Sequence, residues 1–380
     1  MDIYIGLDIS LADTHICIVD QDGAILEETV SETEPSAIFT AVEGYQGYIK
    51  RVGLEASSLG SWLHDELSSF DLPVIVVDAR HMRASLEAQR NKTDKNDARG
   101  IAQMMRMGWY CPVHVKSPES QRLRVLLNNR RTLKRKLVDM ENHIRGTLRA
   151  FGLKMGKIAR GAFEDRAREL MDGHEPELMF YIDTMLAVRN NLLEGYSRLH
   201  KCVLEIVKSD PVCRRFMTVP GVGPIAALSF RAAIDDPCRF KSSRTVGAYL
   251  GLTNRRWQSG TIDREGRITK QGDREVRTAL CEAAASLLLR SQKWTAVKAW
   301  GLRLAKRTSM MNAIVAVARK LAVILHRMWL DGSTFRTGRG AKLVGRMHLT
   351  PPRMVKQAAQ EMAREMAEKT ARRGHKPQPA

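Results

Sequence analysis

The sequence is poor in the features that mark several large classes of protein. Its six cysteines, Cys17, Cys111, Cys202, Cys213, Cys238 and Cys281, are scattered and form no C-x-x-C pair. That pattern argues against a disulfide framework or a zinc site and for a reducing compartment. Aromatic residues make up only 6%, which speaks against single-strand binding by base stacking as the main mode of action. The opening MDIYIGLDIS lacks a basic segment and a cleavage site, so secretion is not expected. Apolar runs such as AIVAVARKLAVIL (313–325) are broken by Arg319 and Lys320, so no membrane span is expected.

What is present is length, a core and a great deal of positive charge. The 380 residues are 44% hydrophobic, enough for a sizeable core and more than one domain. The net charge of +19 is unevenly placed. Residues 1–90 hold 5 Lys/Arg against 16 Asp/Glu, and residues 91–380 hold 56 against 26. An acidic module joined to a long basic one points to a polyanionic partner gripped mainly by the second part.

Residues 3–8, 14–20 and 24–30 read as short strands, with QDG as the turn between the last two. A helix from Pro35 to about Lys50, a strand over 51–56, a helix through SWLHDELSSF and a strand over 73–79 follow. This order gives an α/β domain with a mixed sheet, in the ribonuclease H-like layout. From about Gln121 the pattern turns helical, with Leu123, Leu126, Leu127, Leu133, Leu137, Met140, Ile144 and Leu148 at near-heptad spacing. Its other faces are crowded with Arg and Lys, which suits a solvated coiled coil or a nucleic-acid or dimer arm. A second helical stretch over 177–209 can pair antiparallel with it.

The segment TVPGVGPIAALSF (218–230) sets a Gly-x-Gly turn between helical runs. Such a turn offers the Gly221 and Gly223 N–H groups to a phosphate at a helix N-terminus, in the manner of a helix-hairpin-helix with Ala227 at the small packing position. A plain loop is the other reading. Further on, Arg255, Arg256, Arg264, Arg267, Lys270, Arg274 and Arg277 surround a single Ser259–Gly260 pair. Residues 332–380 form a basic tail with 11 Lys/Arg against 3 acids, expected to be partly disordered.

The acids offer a second constellation. Asp8 ends the first strand, Glu55 ends the fourth, and KTDKNDA (92–98) places Asp94 and Asp97 at i and i+3 on one helix face. Four carboxylates brought together repel unless a divalent ion holds them, and hard Mg²⁺ prefers oxygen. The same residues also make an ordinary helix start, with Thr93 as N-cap and acids favoured by the dipole. Lys92 and Lys95 suit either case, as partners of the acids or of a phosphate. Ser259 has no histidine near it in sequence, so a Ser–His–Asp hydrolase is not expected. By itself the serine reads as a turn residue, or as an attacker of a phosphodiester if metal ions and arginines neutralise it.

Taken together, IGLDIS (5–10), VGLEASSLGSWLHDEL (52–67), VVDARH (76–81), NKTDKNDARGIAQMMRMGW (91–109), VPGVGP (219–224) and YLGLTNRRWQSG…GRITKQGDREVR (249–277) resemble the DEDD transposases of insertion sequences. That group includes enzymes guided by a bridge RNA, and the pilin-gene invertases are relatives. The resemblance runs in order from residue 3 to about 332. It implies a RuvC-like, ribonuclease H-like catalytic domain over 1–115 and a helical coiled-coil arm over 116–210. A mostly α-helical transposase domain with the helix-hairpin-helix-like motif follows over 211–331, and then the tail. It further implies Asp8, Glu55, Asp94 and Asp97 as ligands of Mg²⁺ (or Mn²⁺), and Ser259 as a nucleophile forming a phosphoserine link to DNA. Lys92, Gly221, Gly223, Arg255, Arg256, Lys270, Arg274 and Arg277 become candidate nucleic-acid contacts.

The implied partners are double-stranded DNA at element ends and target, a structured non-coding guide RNA, and further copies of the chain in a dimer or tetramer. The implied location is the bacterial cytoplasm, at the nucleoid, with no membrane. Sequence choice delegated to RNA leaves the protein to read backbone and shape. Two positions depart from the commonest pattern: Leu11 follows Ser10 where a lysine is frequent, and Ala56–Ser57–Ser58 stands where Thr-Gly is frequent. Three other readings compete. They are a RuvC-like junction nuclease using water, a sugar- or acetate-kinase-like ATPase, and a catalytically dead RNA-binding remnant. The ATPase requires a second glycine-rich phosphate turn in strand context, which the later half lacks.

Overall fold

The structure, a computed structural model, describes residues 1–87 and 93–336. Lys92 and the tail from residue 337 onward lie outside the described residues. The chain divides into two compact units, Met1–Ser117 and Pro118–Ala380.

The first unit is a mixed sheet covered on both faces. Strands β1 (Ile3–Ile9), β2 (Asp13–Val19) and β3 (Ile25–Glu32) precede helix α1 (Pro35–Val42). Strand β4 (Ile49–Glu55), helix α2 (Gly60–Ser69), strand β5 (Val74–Val77) and helices α3 (Ala79–Leu86) and α4 (Asp94–Met107) follow. The sheet order is β3-β2-β1-β4-β5, with β1 antiparallel to β2 and parallel to β4. Alternation along β1 decides the layering, because successive side chains point to opposite faces. Ile3, Ile5 and Leu7 enter a core with Ile16, Val52 and Leu54 that Ile38 and Val42 of α1 and Leu63 and Leu67 of α2 close.

The opposite face belongs to α4. Gly6 of β1 and Gly53 of β4 are register partners and form a floor without side chains. A Cβ on Gly6 would lie 2.1 Å from the Ala98 carbonyl oxygen, and one on Gly53 would lie 2.6 Å from the Met105 side chain. Helix α4 therefore rests directly on the strands at these two positions, where no side chain fits. Thr93 caps it, accepting from the Asn96 N–H at 3.2 Å, and Gly108 ends it in the left-handed conformation.

One expected element ends early. The helix foreseen from Pro35 to Lys50 stops at Val42, and Glu43–Tyr45 form a single 3₁₀ turn. Gly44 and Gly47 loosen this stretch, and Ile49 is already pairing with Ile3.

In the second unit, α5 (Pro118–Ala150), α6 (Phe163–Met171) and α7 (Pro176–Ser209) build a helical arm. Helices α5 and α7 run antiparallel. Arg130 Nε donates to His200 Nδ1 at 3.1 Å, while further along Arg189 Nη2 donates to Glu141 at 3.2 Å. Ile144 and Leu148 pack with Leu178, Ile182 and Leu186. The rest comprises α8 (Pro211–Phe216), α9 (Pro224–Ile234), α10 (Val246–Tyr249), the hairpin β6 (Asn254–Ser259) and β7 (Ile262–Ile268), α11 (Arg274–Ala285), α12 (Ala296–Arg307) and α13 (Met310–Asp331). Phe216, Phe230, Leu250, Leu280, Val317, Leu321 and Leu325 share its core. The apolar run 313–325 is thus the buried face of α13. No helix among the described residues is long and apolar enough to cross a membrane.

The glycine floor makes a direct prediction. Gly6→Ala is expected to cost about 1–3 kcal/mol of stability in urea denaturation, as overpacking does. Gly44→Ala, where a Cβ meets nothing within 4 Å, is expected to change it by less than about 0.5 kcal/mol.

Candidate active site

The four candidate acids of the first unit converge. Asp8 lies on the Gly6 face of β1, one residue past the Leu7–Leu54 pairing, so Glu55 stands beside it at the end of β4. Glu55 pairs with Val77, whose side chain packs under α4, which places the glutamate on the same face. Asp94 and Asp97 occupy the first turn of α4 on that face, Asp94 exposed and Asp97 buried. The convergence is written in the electrostatics of Asp8. Burial, and then the charges of Asp97, Asp94 and Glu55, push its carboxyl up to about 6.

A residue not singled out from the sequence joins this cluster. His15 of β2 is the register partner of Asp8, and its Nε2 lies 3.9 Å from Asp94 Oδ2. Its charge opposes the rise at Asp8. Strand pairing across the Ser10–Asp13 turn was the signal that could have located it. Lys95, which reads as a partner of the acids or of a phosphate, meets another carboxylate. Its Nζ pairs with Glu28 at 3.0 Å rather than with the aspartates of its own helix. Arg99 grips the same carboxylate with two nitrogens and holds it down to about 2.

The donor set is entirely carboxylate oxygen, half-buried and electrostatically crowded, which fits a hard divalent cation rather than a soft one. Among the described residues no three potential ligands are closed to metal-binding spacing. The four carboxylates are candidate donors by their chemistry and proximity.

Ser259 lies in a hairpin that reading by composition did not foresee. It ends β6, pairs with Ile262, and is followed by the two-residue loop Gly260–Thr261. Of these two, only Gly260 has a positive φ, at 55°, as a type II′ connection requires at its first position. All of β6 is exposed, and the Ser259 hydroxyl has no hydrogen-bond partner among the described residues. Arg255 and Arg274 are likewise exposed, whereas Arg256 is engaged across the hairpin by Asp263 at 2.7 Å.

The base of the hairpin is clasped by backbone. A Cβ on Gly251 would lie 2.0 Å from the Gln271 carbonyl oxygen, and one on Gly272 2.1 Å from that of Tyr249. Lys270 takes a positive φ of 57° to make this turn, and its N–H bonds to Gly251. Arg277 seals it, donating from Nη1 to the carbonyls of Leu250, Gln271 and Gly272 at 3.2, 2.8 and 2.9 Å. Its guanidinium is thus turned inward, onto the fold. Asp273 caps α11 through the Glu275 and Val276 N–H groups and pairs with Arg124 of the arm.

The glycine turn divides its two candidates. Gly221, at φ +91°, is pressed against α11, where a Cβ would lie 2.5 Å from the Ala283 carbonyl oxygen. Gly223 opens α9 with nothing within 4 Å of its Cβ position.

Two family models match stretches of the chain. A DEDD model of the IS110 type, described as Transposase, matches residues 5–152. The model described as Transposase IS116/IS110/IS902 family matches residues 213–299. Along both stretches the chain is similar to the IS116/IS110/IS902 transposases. The transposase for insertion sequence element IS1111A of Coxiella burnetii is 26% identical over 339 residues, 88% of this chain and 91% of its own length. A probable family 20 transposase of Pseudomonas aeruginosa is 27% identical over 292 residues, 76% and 86% of the two chains. The pilin gene-inverting protein of Moraxella bovis is 29% identical over 109 residues, 28% and 33%. The first model spans all four acids of this chain, and the second spans the glycine turn, the hairpin and its clasp.

Crowding at Asp8 fixes the sign of a pH effect. A carboxyl whose pKa is raised on folding, here from 3.8 to about 6, supports the fold fully when protonated and withdraws that support as pH rises through its folded pKa. Without divalent metal, Asp8→Asn is expected to melt higher than the parent at pH 7. The gap should shrink as pH falls from about 6 to 4, as thermal denaturation in chelator would read.

Proposed function

We propose that this chain is a transposase that exchanges DNA strands using Mg²⁺ (or Mn²⁺) held by Asp8, Glu55, Asp94 and Asp97, with Ser259 as nucleophile. The N-terminal unit is read as ribonuclease H-like and RuvC-like, on the strand order β3-β2-β1-β4-β5 with acids at the ends of β1 and β4. The observation that carries the reading is the convergence of the three other acids on Asp8 from β4 and α4, where burial first and then their charges raise its carboxyl. A divalent cation there supplies charge for the non-bridging and leaving oxygens of a phosphodiester.

The serine supplies the covalent step. Its Oγ forms a bond to phosphorus, the bond from phosphorus to one strand oxygen breaks, and that oxygen leaves with the electron pair and gains the serine's proton. A hydroxyl of another strand then attacks the phosphoserine and expels Ser259. One phosphodiester is exchanged for another, so no nucleotide needs to be consumed. The name of the Moraxella bovis relative, which inverts a gene rather than degrading it, favours exchange over hydrolysis.

A structured non-coding RNA supplies sequence choice, and the excess of Lys and Arg after residue 90 serves DNA and RNA backbones. The acids and the serine lie in different compact units, so a dimer or tetramer lets one copy's serine serve another's acids.

The test is a denaturing gel of protein incubated with Mg²⁺, guide RNA and element-end DNA. The parent is expected to yield a covalent protein–DNA adduct that Ser259→Ala abolishes, and Asp94→Ala is expected to lower exchange by at least about 100-fold, the scale of a lost electrostatic contribution. Clean hydrolysis that survives Ser259→Ala would overturn the serine mechanism in favour of water.

A further inference from the structure

The two faces of the β6–β7 hairpin carry opposite chemistry. Register places Trp257, Ser259, Ile262 and Arg264 on one face, and Gln258, Asp263, Arg256 and Glu265 on the other. Both carboxylates of the hairpin therefore lie on the far face, and both are engaged: Asp263 by Arg256 and Glu265 by Asn254 at 3.2 Å. The serine face holds no acid. Arg264 on that face has no carboxylate partner among the described residues.

Trp257 dominates this face. Its ring lies on Gly266, where a Cβ would sit 2.4 Å from the six-membered ring. One side of the indole is thus seated on backbone, yet the residue remains 55% exposed, as Ile262 does at 53%. An indole fixed from behind and open in front, two residues from a serine and opposite an arginine, is a platform for a flat π-system next to an anion.

We infer that Trp257 stacks on a DNA base beside the phosphate that Ser259 attacks, with Arg264 on the neighbouring phosphate. This deepens the proposed strand exchange and rests on that reading of Ser259. DNA fits this face better than a second protein chain, because the free cation and the acid-free surface complement a polyanion while the open ring complements a base. The scarcity of aromatic residues elsewhere does not bear on a single platform at the point of exchange.

The experiment uses full-length protein with guide RNA and element DNA carrying 2-aminopurine beside the exchanged phosphate. It is done in the Ser259→Ala background, so binding is read without any bond change. The parent background is expected to quench the fluorophore. Trp257→Leu, which still covers Gly266, should lose the quench and about ten-fold in DNA affinity, while Trp257→Phe keeps most of both. Arg264→Gln should weaken binding and lower the salt slope by about one. Unchanged melting temperature in each variant separates these losses from misfolding, since β6 is exposed throughout.

Quench and affinity unchanged in Trp257→Leu would overturn the inference. So would a Trp257→Leu variant that loses guide-RNA binding but holds DNA as the parent does, which would assign the platform to RNA. Adduct formation with Ser259 restored is scored separately. Its absence in the parent sinks the serine mechanism, whereas a persisting adduct with no effect of Trp257→Leu sinks the platform alone.

Discussion

Everything in the first unit depends on how closely α4 lies on the sheet. Of two register-paired glycines, Gly6 lets the backbone of α4 come within contact of β1, and Gly53 makes room for the Ile101 and Met105 side chains. That approach brings the first turn of α4, with Asp94 and Asp97, down to the level of Asp8 and Glu55 at the strand ends. A side chain at either glycine lifts the helix and separates the acids. Burying Asp97 against three other carboxylates is unfavourable by itself. The apolar face of α4, through Ala98, Ile101, Ala102 and Met105, offsets that cost.

The second unit uses a similar device for a different purpose. Gly251 and Gly272 each lie where the other segment's backbone leaves no room for a Cβ, and Arg277 ties the carbonyls of both together. Part of the chain's positive charge is therefore structural. Arg124, Arg131, Arg189 and Arg231 are bound to Asp273, Glu275, Glu141 and Asp210 within the fold. The net charge of the sequence overstates the number of cations available to a polyanion, and position rather than number decides which ones are.

The sheet was legible because its strands obey alternation. Ile3, Ile5 and Leu7 against Tyr4, Gly6 and Asp8 announce a strand with two unlike faces, and the acids at strand ends follow from that. The long arm was legible from its heptad leucines. The hairpin was not, since a strand exposed on both faces has no hydrophobic period to read; only Gly260 hinted at it. His15 was missed because its importance arises from cross-strand register. The early end of α1 was missed because a strand pairing, not local propensity, claims Ile49. Arg277 reads as a nucleic-acid contact from its type, and packing turns it onto the carbonyls of Leu250, Gln271 and Gly272.

The clasp beneath the hairpin has a consequence for how this protein can change over evolutionary time. Because Gly251, Gly272 and Arg277 fix where the hairpin leaves the domain, and Leu252 and Ile268 anchor its base to the core, the exposed residues of the ribbon beyond them carry little folding duty. Substitutions in that exposed ribbon alter what it touches and leave the domain's stability nearly constant. Drift and selection can therefore explore new contacts there at little risk of unfolding, which also makes the ribbon a natural place to randomise in a library.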